Sequence, residues 1–129
     1  MNIEQGINDL LQGKCRTVVK LLEKAMADIE SLDPSIRDLV IAAVIRQAEV
    51  GPLLRPRGLG EPLGRNLAGL AKIKLRKHGI RIIYRPLERE NTVVMQIIAV
   101  GPRAGGEAYR IAGQRLFSRK MGRRNPARE

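Results

Sequence analysis

The sequence predicts an α+β domain: a small twisted antiparallel sheet with an αα-hairpin packed on one face and a C-terminal helix, in the order β-α-α-β-β-β-α. Three observations predict it. Residues 72–85 (KIKLRKHGIRIIYR) alternate polar and apolar side chains around His78-Gly79, as a β-hairpin does. Residues 92–100 (TVVMQIIAV) form an almost continuously apolar run, the pattern of a central strand buried on both faces. Residues 23–50 carry helical spacing broken once, at Asp33-Pro34.

Residues 1–14 hold a weak helical pattern, with Ile3, Ile7, Leu10 and Leu11 on one side and Gly6 and Gly13 limiting it, so a short helix and a loose arm are both open. Residues 16–22 (RTVVKLL) are β-branched and read as a strand. Residues 23–32 follow as a helix. The next helix starts with Asp33 as N-cap and Pro34 at its first position, and it presents Ile36, Leu39, Val40, Ala43, Val44 and Gln47 on one face. Gly51-Pro52 ends it. Residues 51–64, rich in Gly and Pro, read as a loop. Residues 70–77 and 80–87 are strands joined by a two-residue turn at His78-Gly79. Residues 101–106 are a loop, residues 107–120 a helix and residues 121–129 a basic tail. The domain proper then spans residues 16–120, with residues 1–15 as an N-terminal extension.

Composition bounds the function. The 129 residues fit one domain, and 43% hydrophobic content with 2% aromatic makes Leu, Ile, Val and Ala the core builders. The single cysteine, Cys15, excludes an internal disulfide framework and fits a reducing cytoplasm. No apolar run approaches a membrane span, so no membrane partner is expected. The net charge of +11 is segregated: residues 1–54 carry −2 and residues 55–129 carry +13. Segregation of this kind is the footprint of a polyanion, or of an acidic protein partner.

With the turn at His78-Gly79, Arg76 faces Arg81, Lys74 faces Ile83 and Lys72 faces Arg85. Alternation then puts Lys72, Lys74, Arg76, Arg81, Ile83 and Arg85 on one face and Ile73, Leu75, Ile82 and Tyr84 on the core face. The expected charged face holds no acid. Like charges opposite one another each cost a sheet a few tenths to about 1 kcal/mol. A bound phosphate backbone would offset that cost.

These residues, with VGPRAGGEAY at 100–109, resemble the RelE toxins of the RelE/ParE toxin-antitoxin superfamily. The resemblance runs over about residues 17–116 and includes LDPSIR at 32–37 and GEPLGRNLAGL at 60–70. It implies a bacterial toxin that cuts messenger RNA in the ribosomal A site and is silenced by an acidic, RelB-like antitoxin, and a free toxin that is monomeric. It also implies the site. The K-I-K motif matches the catalytic lysines at Lys72 and Lys74. The arginine past the hairpin turn is Arg81, the arginine after the V-G pair is Arg103, and the tyrosine opening the last helix is Tyr109. Arg65 matches an RNA-backbone contact, and Arg76 and Arg85 read as steering charge for RNA. Where the family often has another basic residue, two positions past Arg103, this chain has Gly105.

Cleavage by 2′-OH attack needs a proton removed from the hydroxyl, charge on the phosphorane-like transition state offset and a proton given to the departing 5′-oxygen. The only histidine, His78, lies on a turn tip. The acids of the second half, Glu61, Glu88, Glu90, Glu107 and Glu129, have no metal-ligand spacing, so no metal or other cofactor is expected. In a cationic site Tyr109 or Lys74 would be the base, Lys72 and Arg81 the phosphate clamp and Arg103 the stabiliser of the leaving oxygen. Two other readings exist: a ParE-like toxin of the same fold that poisons gyrase, and a non-catalytic nucleic-acid-binding module. Three aromatic residues leave little for base stacking, which disfavours the latter.

Overall fold

The computed structural model describes residues 2–124. Asn2 starts the first helix, α1 (Ile3–Leu11), with a capping box: its side chain accepts from the Gln5 N–H at 2.9 Å, and Gln5 accepts from the Asn2 N–H at 3.1 Å. The segment whose state the sequence leaves open is therefore helical, and Ile7 and Leu11 are buried in the main core. Strand β1 (Thr17–Leu21) follows, with alternate residues buried. α1 lies along the outer edge of this strand. Asn8 donates to the Val19 carbonyl and accepts from the Val19 N–H, both at 2.8 Å, and the Glu4 carboxylate accepts from the Leu21 N–H at 2.7 Å. Side chains thus satisfy an edge that would otherwise invite another strand.

The αα-hairpin forms as expected from α2 (Glu23–Glu30) and α3 (Pro34–Val50). Pro34 opens α3, but the Asp33 side chain makes no cap hydrogen bond, so Asp33 holds the N-cap position by backbone alone. The buried stripe of α3 is Val40, Val44 and Ala48, while Leu39 is 43% exposed. This face is rotated from the expected one because α3 packs beneath α1 and the sheet together, and Thr17 donates to the Ala48 carbonyl at 3.0 Å.

The sheet has five strands in the order β1-β5-β4-β3-β2, with β2 (Glu61–Pro62), β3 (Ala71–Leu75), β4 (Ile80–Glu88) and β5 (Val93–Pro102). All pairs are antiparallel except β1 with β5. The fold is the α+β class read from the sequence, with two additions: helix α1 precedes it, and strand β2 emerges from the segment read as loop. Core residues of α1, α2 and α3 cover one face. The C-terminal helix α4 (Glu107–Arg124) covers the other with Ala108 and Ala112 against Leu70, Ile83, Ile98 and Ala99. The expected tail at 121–129 is helical through residue 124, and residues 125–129 lie outside the described residues.

One buried polar contact fixes the approach to β2. Tyr84 is fully buried, and its hydroxyl donates to the Pro52 carbonyl at 2.8 Å. Burial pushes this hydroxyl well above its ordinary pKa, so it stays a donor. Gly60 passes directly over it: a Cβ there would come within 2.5 Å of the Tyr84 oxygen. The absence of a side chain at Gly60 lets the chain run against Tyr84 and deliver Glu61 to the sheet edge.

Candidate functional site

The hairpin register corrects the expected one by two residues. Leu75 pairs with Ile80, Lys74 with Arg81, Ile73 with Ile82 and Lys72 with Ile83. The connection is therefore four residues, 76–79, built as a 3-10 turn closed by Gly79 in the left-handed region (φ 62°). A slip of two preserves which face each strand residue takes. Lys72, Lys74 and Arg81 remain together on the side of α4. Arg76 leaves the strand for the exposed turn, so the Arg76–Arg81 pair does not form.

The second correction concerns charge. The cationic face does contain an acid. Glu61, on β2, stands opposite Lys72 in register, and its Oε1 lies 3.1 Å from Lys74 Nζ and 3.6 Å from Lys72 Nζ. The hydrogen bond from Lys74, aided by the charge of Lys72, holds the Glu61 carboxyl below the ordinary carboxylate range, against a smaller opposing effect of desolvation. The two-residue strand gives no periodic signal. The available signal is that Glu61 is the only acid between Glu49 and Glu88.

Arg81 is the deepest cation, only 6% exposed. Its Nη1 donates to the Ile80 carbonyl at 3.2 Å, and its Nε has no hydrogen-bond partner among the described residues. A buried guanidinium with an unused donor is costly in isolation and suited to an incoming anion. Tyr109 lies in the first turn of α4, and Lys72 Nζ stands 5.9 Å from its ring centroid, a cation–π contact. Arg103 is exposed just beyond β5. Its backbone N–H donates to the Gly79 carbonyl at 2.7 Å, tying this loop to the hairpin turn beside Arg81. Gly105 occupies the left-handed region (φ 63°) in the 3-10 turn before α4, which accounts for glycine at that position.

The structure thus brings Lys72, Lys74, Arg81 and Tyr109 to one face, with Arg103 at the turn end. Arg65 is exposed at the 3-10 turn before β3 and takes a positive φ of 57°. Arg85 is half-buried, beyond the bulge at Ile83/Tyr84, and donates to Gln96 Oε1 from Nε at 3.1 Å and Nη2 at 2.7 Å. Its fork is engaged within the sheet. A groove of about 640 Å³ beside the cations is lined by Asn66, Leu67, Tyr109, Gly113, Leu116 and Phe117. Among the described residues no group of three or more His, Cys, Asp or Glu could hold a metal ion, and no helix is long and apolar enough to cross a membrane.

The depressed carboxyl of Glu61 predicts a pH dependence. A group whose pKa is lower folded than unfolded stabilises the fold above its unfolded value and loses that contribution as pH falls through the folded one. The stability difference between the unsubstituted chain and Glu61→Gln, measured by urea unfolding, should be largest at neutral pH and shrink between about pH 5 and pH 3. A difference constant with pH contradicts the Glu61–Lys74 pairing.

A five-stranded sheet holding a cation cluster between an edge strand and a terminal helix defines a class of small basic α+β proteins. No family model matches the chain. It is similar to a putative RelE-like toxin protein of Escherichia coli, 27% identical over 101 residues that span 78% of this chain and 98% of that protein. Its fold matches an arginine-substituted variant of E. coli toxin RelE in the free state, with TM-score 0.59 and 26% identity over 76% of this chain and 95% of that one. It also matches the toxin in the intact E. coli RelBE toxin-antitoxin complex, with TM-score 0.50 and 25% identity over 65% and 93% of the two chains. By sequence and fold together, this chain is similar to the RelE-type toxins.

Proposed function

We propose that this chain is the toxin of a type II toxin–antitoxin pair and acts as an endoribonuclease on mRNA in the ribosomal A site. The observation that carries the proposal is the convergence of Lys72, Lys74 and buried Arg81 on one face, with Tyr109 beside Lys72. A phosphate laid on this face meets two ammonium groups from β3 and one guanidinium from β4. Lys72 and Arg81 hold the scissile phosphate and offset the charge of the transition state. Tyr109 or Lys74 takes the 2′-OH proton. Arg103, at the turn end, stabilises the departing 5′-oxygen, which takes its proton from solvent water. The 2′-OH forms the new P–O bond as the 5′-oxygen leaves, so the products carry a 2′,3′-cyclic phosphate and a 5′-OH, and the chemistry draws on no metal.

The cations supply electrostatics, but they leave the in-line geometry of the RNA unset. The ribosome would supply that orientation by splaying the codon, which makes cleavage of free RNA slow. The antitoxin is expected to be acidic, since its surface must meet a face rich in cations, and the cytoplasm is where mRNA, ribosome and antitoxin meet.

Mapping mRNA ends after a brief induction, with and without active ribosomes, tests the proposal. New ends within codons, confined to translated messages, support it. Uncut messages beside blocked gyrase supercoiling would replace it with the gyrase-poisoning reading.

A further inference from the structure

We propose that Glu61 is a built-in anion that holds the phosphate position of the cationic face, so that RNA binds by displacing it. The inference rests on the reading of that face as a phosphate site and adds a regulatory element to it. A single carboxylate oxygen contacts both lysines, at 3.1 Å from Lys74 and 3.6 Å from Lys72. Nothing local forces this arrangement. Glu61 is on a two-residue edge strand, its side chain is 41% exposed, and solvent is open to it. It turns inward to the lysines instead.

Two features mark it as an incomplete substitute for phosphate. It satisfies only the β3 side of the cluster, and Arg81, directly opposite Lys74, keeps an unpartnered Nε among the described residues. A phosphate carries more oxygens and could engage the lysines and Arg81 together. The carboxylate is also half exposed, and ion pairs of that kind are weak. Displacement needs side-chain rotation alone, because the backbone around Glu61 is pinned by the Gly60 N–H on the Leu53 carbonyl at 2.9 Å and the Leu63 N–H on the Leu70 carbonyl at 2.9 Å. The consequence is selectivity. A strongly basic chain with bare lysines would bind any polyanion, whereas this one must first exchange its own carboxylate.

The test uses the full chain and a five-nucleotide RNA bearing 2′-O-methyl groups, which has no free 2′-OH to react. Affinity is read by fluorescence anisotropy from about 50 to 200 mM salt. Glu61→Gln should bind roughly three- to tenfold more tightly than the unsubstituted chain, two weak ion pairs having been removed. Its slope of log affinity against log salt should steepen by about one unit. Equal or weaker binding, or an unchanged slope, overturns the inference. A second measurement needs no substitution: inorganic phosphate titrated into the unsubstituted chain should shift the Glu61 carboxylate carbon resonance and the Lys74 ammonium resonance with one midpoint. A Glu61 resonance that stays fixed while Lys74 saturates overturns it as well. Neither measurement involves cleavage or ribosomes, so failure of the nuclease reading would show in the mRNA ends and leave these results standing.

Discussion

Arg81→Ala should lower ribosome-dependent mRNA cleavage by about 10²–10³-fold, the usual effect of removing one group that faces transition-state charge. The same position should cost the fold little. Arg81 is 6% exposed, and its Nε is unpaired among the described residues, so the free protein bears a desolvation cost without full return. Arg81→Met, which keeps the apolar stem and removes the charge, should therefore match or exceed the unsubstituted chain in thermal stability while losing cleavage to a similar degree. The two readouts separate a catalytic role from a structural one. Normal cleavage by Arg81→Ala refutes its place in the clamp. A large fall in stability for Arg81→Met shows instead a residue that holds the hairpin. Tyr109→Phe is the companion variant: it keeps the ring over which Lys72 sits and removes the hydroxyl, so normal cleavage there assigns the base to Lys74.

Much of the site was readable because a strand's side-chain period is two. Placing the hairpin turn two residues off changes every cross-strand partner, yet it leaves Lys72, Lys74 and Arg81 on their shared face. What failed was the turn itself. His78-Gly79 has the composition of a two-residue turn, but the chain closes a 3-10 turn over residues 76–79 and takes Arg76 out of the sheet. Glu61 was hidden for a different reason. Its strand is two residues long, too short for any alternation, and it sits in a segment whose Gly and Pro residues speak for loop. Its delivery to the lysines depends on Gly60 passing over Tyr84, a contact between residues far apart in sequence. The first helix was half-legible for the same cause: its weak pattern becomes decisive only because Asn8 and Glu4 find the edge of β1.

The second large effect lies in a contact that no local pattern announces. Asp28 on α2 and Arg115 on α4 are 87 residues apart. Asp28 Oδ2 accepts from Arg115 Nη1 at 2.6 Å and from the Val100 N–H at 3.0 Å, and Oδ1 accepts from Arg115 Nη2 at 3.0 Å. Arg115 Nη1 also donates to the Ile98 carbonyl at 2.9 Å. These backbone groups belong to the part of β5 that extends past β1, whose pairing ends at Leu21–Ile97. The ion pair therefore completes an open sheet edge and pins α4 across it. Asp28→Ala leaves a largely buried guanidinium and the Val100 N–H without their carboxylate, and urea unfolding should show a loss of roughly 3–5 kcal/mol. Arg115→Met in that background should cost much less than it does alone, since the orphaned charge is then gone; strictly additive losses would refute the coupling. The damage should also reach the site. Val100 leads through Gly101, the partner of Arg81, to Arg103, and α4 carries Tyr109. An Asp28→Ala chain that remains folded at low temperature should thus cleave less well than its folded fraction alone predicts, because Arg81, Arg103 and Tyr109 are no longer held in register with one another.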